Sequence, residues 1–158
     1  MQEADITDVT AKTEVQAAVA QVAKAPEPTD LFSLFAVDKE RAIKGADLKL
    51  AGTTFKVARL RSPKYEAARN DLMVKTAEKF GQTDSEERQA YFDTEHRKIV
   101  AKLILIGWDI LKYRKALHSY SEEMALEILQ HDDFYDRVIF FAGTIDNYLL
   151  VDEEDTKN

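Results

Sequence analysis

DLKLAGTTFKVARLRSPKY, residues 47–65, is the stretch on which the architecture turns. Asp47 to Leu50 and Thr53 to Leu60 flank Ala51-Gly52, and the second run carries Thr, Phe and Val in near alternation. Two short β-prone runs around a glycine-containing turn predict a hairpin. Ser62-Pro63 then switches the chain to helix, with serine as N-cap and proline at the first helical position. A lone hairpin is marginal in water. This one must lean on helices or on a neighbouring copy, and it is the only sheet the sequence announces.

Outward from this stretch the pattern is helical. The helix opened at Ser62 runs to about Phe80 and stops at Gly81, which suits a left-handed C′ position. Thr83-Asp84-Ser85-Glu86 matches a capping box and predicts a long helix over Thr83–Leu111. Phe92, Ile99, Leu103, Ile106 and Ile110 form its apolar stripe, and Gly107-Trp108 bends or ends it. Ser119-Tyr120-Ser121-Glu122 is a second capping box, opening a short helix with Ala125, Leu126, Ile128 and Leu129. Asp132 or Asp133 then caps a last helix, Asp133–Val151, through Phe134, Val138, Phe141, Ile145 and Leu149. The three helices Ser62–Phe80, Thr83–Leu111 and Asp133–Val151 should pack together over Leu103, Ile106, Val138, Phe141 and Ile145. The fold class expected is therefore mainly α, a helical domain with one small β-hairpin.

The flanks differ from this domain. Thr7–Ala25 predicts a helix with small apolar residues only, Val9, Val15, Ala18, Val19 and Val22, which have little area to bury. Pro26 and Pro28 end it. Residues 1–29 are thus expected as an accessory helix with a proline linker. Residues 30–151 form the main domain, opening on the apolar cluster Asp30 to Phe35, and 152–158 are an acidic tail that should fray.

Charge is unevenly placed. The chain of 158 residues has 29 acids, 22 bases and a net charge of -7. From Ser119 to Asn158 there are 11 acids against 2 bases, whereas the rest is nearly balanced. Such an acidic end is repelled by nucleic acid and by anionic lipid, so neither is expected as a partner. Lys56, Arg59, Arg61, Lys64 and Arg69 form a basic run that this acidic quarter would complement, within the chain or between copies. The absence of cysteine excludes disulfides, a thiolate nucleophile, cysteine-ligated zinc and iron–sulfur centres. The longest apolar stretch, Ile99 to Leu111, is broken by Lys102 and Asp109, and a spanning helix needs about 20 apolar residues. The first 30 residues lack the basic and apolar regions of a secretory signal.

Chemistry is sparse. His96, His118 and His131 have no zinc-site spacing, and His131 beside Asp132, Asp133 and Asp136 is explained by helix capping. The five glycines are scattered singly, so no phosphate loop exists. No nucleophile stands near a candidate base. No catalytic, cofactor-binding or metal-binding residue is assigned, no cofactor is expected, and the chain does not read as an enzyme. Trp108, the only tryptophan, reads first as a core or corner residue and second as a binding hot spot.

Several of these residues occur together in a known setting. Phe55-Lys56-Val57-Ala58-Arg59-Leu60-Arg61-Ser62-Pro63-Lys64-Tyr65 resembles a segment of the tail assembly chaperones of long-tailed, siphovirus-type bacteriophages. There an F-K-V-A-R-like strand meets an N-P-x-Y-like helix start, and Ser62 stands here where asparagine is usual. Gly107-Trp108, Ser119-Tyr120-Ser121-Glu122-Glu123, Ala125 through Leu129, Phe134 to Ala142 and the closing acidic K-N tail are similar to the same family. The basic Lys112-Tyr113-Arg114-Lys115 replaces an acidic or glycine-rich link. The resemblance covers about Leu31 to Asn158 and leaves out the first helix.

It implies a mostly helical, non-enzymatic protein made in the host cytoplasm while the tail is built. Such chaperones bind the aggregation-prone tape measure protein, and in many phages a frameshifted extension recruits tail tube subunits. They are generally absent from the mature virion. The alternative is a structural tail completion or connector protein retained in the particle. Self-association into a homo-oligomer is expected. The candidate partner-binding side chains are Arg59, Arg61, Tyr65, Trp108, Phe134 and Phe140.

Overall fold

A computed structural model describes Pro28 and residues 30–150. The helix expected at Thr7–Ala25 and the acidic tail at 152–158 lie outside the described residues. The chain divides into two compact units at Leu34/Phe35. In the first, the Asp30 carboxylate accepts from the Phe32 N–H at 3.2 Å and opens a turn. The second unit, from Phe35 onward, holds the helices and sheets.

Helices take about 56% of the described residues and strands 18%, in two small antiparallel sheets. The class is mostly helical but mixed α/β, a correction to the expectation of a helical domain with a single hairpin. A short helix α1, Lys39–Lys44, is capped by Asp38, whose carboxylate accepts from the N–H groups of Glu40 and Arg41 at 3.0 and 3.1 Å. Gly45 ends it at φ 92°, where a Cβ would stand 2.9 Å from the Val57 nitrogen. Only glycine fits there.

The expected hairpin follows: β1 is Ala46–Leu50 and β2 is Thr53–Val57. Ala51 and Gly52 both have positive φ, 49° and 79°, the geometry of a two-residue turn matched to strand twist. β2 stops at Val57, three residues short of Leu60. The chain leaves the sheet because its next N–H groups bond elsewhere: Ala58 to the Ile104 carbonyl, Arg59 to Ala42 and Leu60 to Ala142.

Pro63–Phe80 forms α2 and Glu86–Leu103 forms α3, packed together as a helical hairpin. Both begin with the predicted chemistry. Ser62 Oγ accepts from the Tyr65 N–H at 3.2 Å, and Ser85 Oγ from Arg88 at 3.1 Å. Within the box Thr83-Asp84-Ser85-Glu86 the cap is thus the inner residue. Likewise Ser121, not Ser119, caps α4, Glu122–Ile128.

The helix expected to reach Leu111 ends at Leu103, and Leu105–Trp108 is a third strand, β3. It pairs antiparallel with β2, Phe55 opposite Trp108 and Lys56 opposite Gly107, with a register shift between Lys56 and Val57. The physical reason is the free edge of β2, whose outward backbone groups need partners. Leu111–Tyr113 and Ala116–His118, β4 and β5, make a second hairpin. The basic Lys112-Tyr113-Arg114-Lys115 run forms its tip, with Arg114 and Lys115 at positive φ.

The last helix, α5, is Asp132–Gly143. His131 holds the N-cap position without a side-chain bond to the helix, and Asp132 and Asp133 sit in the first turn, where acids favour the helix dipole. Beyond Thr144 the chain tightens into a 3-10 turn, Ile145–Tyr148, so the helix expected to reach Val151 stops at Gly143. Among the described residues no helix is long and apolar enough to cross a membrane.

The core lies between the inner face of the three-stranded sheet and α3, α4 and α5. Its largest fully buried side chains are Val57, Val100, Ile104, Leu105, Leu129, Val138 and Tyr148. Of the five residues expected there, Val138 is fully buried. Leu103, Ile106, Phe141 and Ile145 are half-buried. At Leu103 and Ile106 the discrepancy follows from the early end of α3, after which Ile104 and Leu105 take the interior positions; at Ile145 it follows from the end of α5 at Gly143, after which the 3-10 turn sends Tyr148 inward instead.

Candidate functional site

The six side chains read as partner-binding fall into two groups. Tyr65 and Trp108 are buried, so they are corrected from surface candidates to core residues. Trp108 donates from Nε1 to the His118 carbonyl at 3.0 Å and packs edge-on against Phe55 and Tyr120. Phe134 is half-buried, its ring 5.2 Å from Phe55, and lines a small apolar cavity of about 240 Å³ with Leu50, Leu111 and Ile128. Phe140, by contrast, is 71% exposed on α5. The bond from the Leu60 N–H to the Ala142 carbonyl, 3.1 Å, brings the Arg59–Arg61 segment to the C-terminal end of that helix. Arg59, Arg61 and Phe140 thus belong to one end of α5, while Tyr65, Trp108 and Phe134 lie elsewhere. Nor do the five bases of residues 56–69 act alike. Lys56 is ion-paired with Asp47 on the open face of the sheet, and Arg69 stands on α2.

One concavity was not anticipated. The distal half of the α2–α3 hairpin carries an open groove of about 670 Å³, lined by Arg69, Met73, Thr76, Ala77, Arg88 and Phe92 among others. Arg69, Met73 and Ala77 recur at four-residue spacing, which puts them on one stripe of α2. Met73 is 47% exposed, an apolar side chain held partly open to water. At the rim, Arg88 is held by Asp84 at 2.8 Å. The groove is chemically suited to an amphipathic helix or extended segment, since Met73, Ala77 and Phe92 give it an apolar part while Arg69, Asp84, Glu86 and Arg88 give it charges of both signs. The sequence signal was present in the Arg69-Met73-Ala77 stripe. It was masked because a stripe of this kind on any helix is normally core.

Beneath the groove is a buried polar relay. His96 Nε2 lies 2.7 Å from the Tyr65 hydroxyl, and Nδ1 is hydrogen-bonded to the Tyr135 hydroxyl. Phe92 stacks on the imidazole at 5.6 Å. The relay joins α2, α3 and α5. Nearby, the Arg97 guanidinium lies 4.3 Å from the Tyr135 ring centre and pairs with Asp132 at 2.6 Å, which pins the start of α5.

Burial holds His96 below its ordinary value of 6.5, and the Arg69 and Arg97 charges lower it further against an opposing pull from Asp93. Burial likewise raises both tyrosines, Tyr135 to about 12. The relay is therefore three neutral groups at neutral pH, one tyrosine donating to the imidazole and one accepting from it. A histidine that is harder to protonate folded than unfolded contributes stability in full above pH 6.5. That stability is lost as pH falls from 6.5 through the folded-state value. The urea midpoint should decline over this window, and an NMR titration of the His96 ring should place its pKa below 6.5. A His96 signal titrating at or above 6.5 would contradict the burial argument.

No family model matches the chain, and no curated protein or solved structure shows significant similarity to it.

Proposed function

We propose that the protein is a tail assembly chaperone of a long-tailed bacteriophage, which binds apolar segments of the tape measure protein before they enter the tail. The observation that carries the reading is the open apolar groove of the α2–α3 hairpin, with Met73 standing half in water at its edge. It acts together with the ordered run of motifs from Phe55-Lys56-Val57-Ala58-Arg59 to Phe134–Ala142 that resembles this family. A client made of long amphipathic helices exposes apolar stripes before it assembles. A shallow groove can cover such a stripe and release it. Fully burying one side chain of methionine size contributes about 1.5–3 kcal/mol, so a few such contacts hold a client reversibly. Tail tube subunits are the second class of partner that the reading brings. The chaperone works in the host cytoplasm and leaves before the particle is complete.

Mass spectrometry of infected-cell lysate and of purified particles tests this. The chain is expected in the lysate and depleted from particles by well over the loss of any tail subunit. Retention at a fixed copy number per particle would instead make it a tail completion or connector protein.

A further inference from the structure

The sheet of β1, β2 and β3 is open at β1, the edge strand in the order β1-β2-β3. Which backbone groups face that edge follows from the ladder. The Asp109 N–H donates to the Thr54 carbonyl, so Thr54 points its backbone toward β3. Lys49, opposite Thr54, and Asp47, opposite Lys56, must then point theirs away from β2. Among the described residues, these outward groups bond to no other backbone. Their side chains are exposed on the open face of the sheet, while Ala46 and Leu48 are buried on the other.

Edge strands normally block pairing with charges of one sign or with an inward lysine. Here the two outward residues carry opposite signs, two positions apart. An antiparallel copy of the same strand centred on Leu48 would set Asp47 opposite Lys49 of the copy, and Lys49 opposite its Asp47. Both pairs would exchange backbone hydrogen bonds, because 47 and 49 are the residues with outward N–H and C=O groups. Sliding the register by two residues in either direction sets Asp47 against Asp47 or Lys49 against Lys49. Sliding by one places outward groups against inward ones. Only the register centred on Leu48 satisfies both the ladder and the charges.

We propose that β1 is a self-recognition edge, through which two copies of this chain join their three-stranded sheets into one six-stranded sheet about a two-fold axis at Leu48. The interface is isologous, each copy supplying Asp47 and Lys49 to the other. Asp47, already paired with Lys56 in its own chain, is then flanked by lysines from both copies. Two five-residue strands bury less than the roughly 1,200 Å² of a stable dimer, so the pairing is weak and concentration-dependent. The inference is independent of the chaperone reading.

Sedimentation equilibrium of the full chain and of two charge variants decides it. The wild-type chain should dimerise below about 1 mM, more weakly as salt rises. Asp47→Lys and Lys49→Asp each turn both cross-strand pairs into like-charge pairs, and each should weaken self-association by about tenfold or more. Mixed together, the two variants regain opposite charges at both pairs and should form a heterodimer of at least wild-type strength. Both positions are exposed, so circular dichroism should show both variants folded, Lys49→Asp close to wild type and Asp47→Lys less stable by the loss of its Lys56 pair. A wild-type chain that stays monomeric at about 1 mM overturns the proposal. So does a dimer that both variants leave unchanged, or a mixture that fails to pair when each variant is folded.

Discussion

Replacing Trp108 by alanine should cost about 3–5 kcal/mol of folding stability, the range for deleting a buried large aromatic. The indole is 8% exposed and lies between three elements. It packs against Phe55 of β2 with centroids 6.1 Å apart and against Tyr120 at 4.8 Å. Its Nε1 holds the His118 carbonyl of β5. Removing it opens a cavity at the only described link of this kind between β3 and the β4–β5 hairpin. Trp108→Phe keeps most of the packing and loses the hydrogen bond, so it should cost about 0.5–1.5 kcal/mol for the bond plus a smaller packing loss. Urea melts followed by far-UV circular dichroism measure both, since the variants lose the chain's one tryptophan. A Trp108→Ala loss under about 1 kcal/mol would mean that the ring is a surface group reserved for a partner.

Tyr148→Ala should be as damaging, about 3–5 kcal/mol by the same deletion argument. Tyr148 is the largest fully buried side chain, and its hydroxyl donates to the Val57 carbonyl at 2.9 Å across 91 residues of chain. Burial raises its pKa far above the ordinary tyrosine value, so the donor proton is retained at every pH of folding. Tyr148→Phe separates the two contributions. It leaves the ring packed against Phe141 and removes one of the bonds to the Val57 carbonyl, which keeps its ladder partner Ala46, at about 0.5–1.5 kcal/mol. Equal losses for Phe and Ala would assign the whole effect to the hydroxyl. A negligible loss for Phe would mean that the ladder bond to Ala46 satisfies the Val57 carbonyl by itself.

The pattern of what sequence reading recovers has a physical cause. Local devices were legible: the Ala51-Gly52 turn, the Ser62-Pro63 helix start, the stop at Gly81 and, with the cap two residues later than the boxes placed it, the helix starts at Ser85 and Ser121. Each is decided by a few adjacent residues. β3 was not legible, because Leu103 to Trp108 fits a helical stripe as well as a strand, and the choice is made by β2 some 50 residues away. The second hairpin was hidden for a related reason. Arg114 and Lys115 adopt positive φ without glycine, so its turn carries no compositional mark. The last helix was read too long because Ile145 and Leu149 keep helical spacing past Gly143, although the 3-10 turn there instead delivers Tyr148 to the core.

Site residues divide along the same line. Arg61 and Phe140 are exposed and Arg59 is half-buried, whereas Tyr65 and Trp108 are consumed by buried contacts 31 and 10 residues away in the chain. An aromatic residue that is enriched at interfaces is equally at home in a core, and composition alone cannot separate the two. The Arg69-Met73-Ala77 stripe is the converse. It has the spacing of a core face, yet α3 covers only part of it, and the remainder is the groove.

Co-expression with the tape measure protein is the most direct measurement of chaperone activity. The soluble fraction of the tape measure should rise severalfold when the wild-type chain is present. Met73→Glu puts a charge into the groove at a position exposed enough to leave the fold within about 0.5 kcal/mol of wild type. With that variant the soluble fraction should return toward the level without chaperone, while the variant itself stays soluble and folded. Equal insolubility of the tape measure with and without the wild-type chain would contradict the chaperone function. Equal solubility with wild type and Met73→Glu would move the client away from the α2–α3 groove.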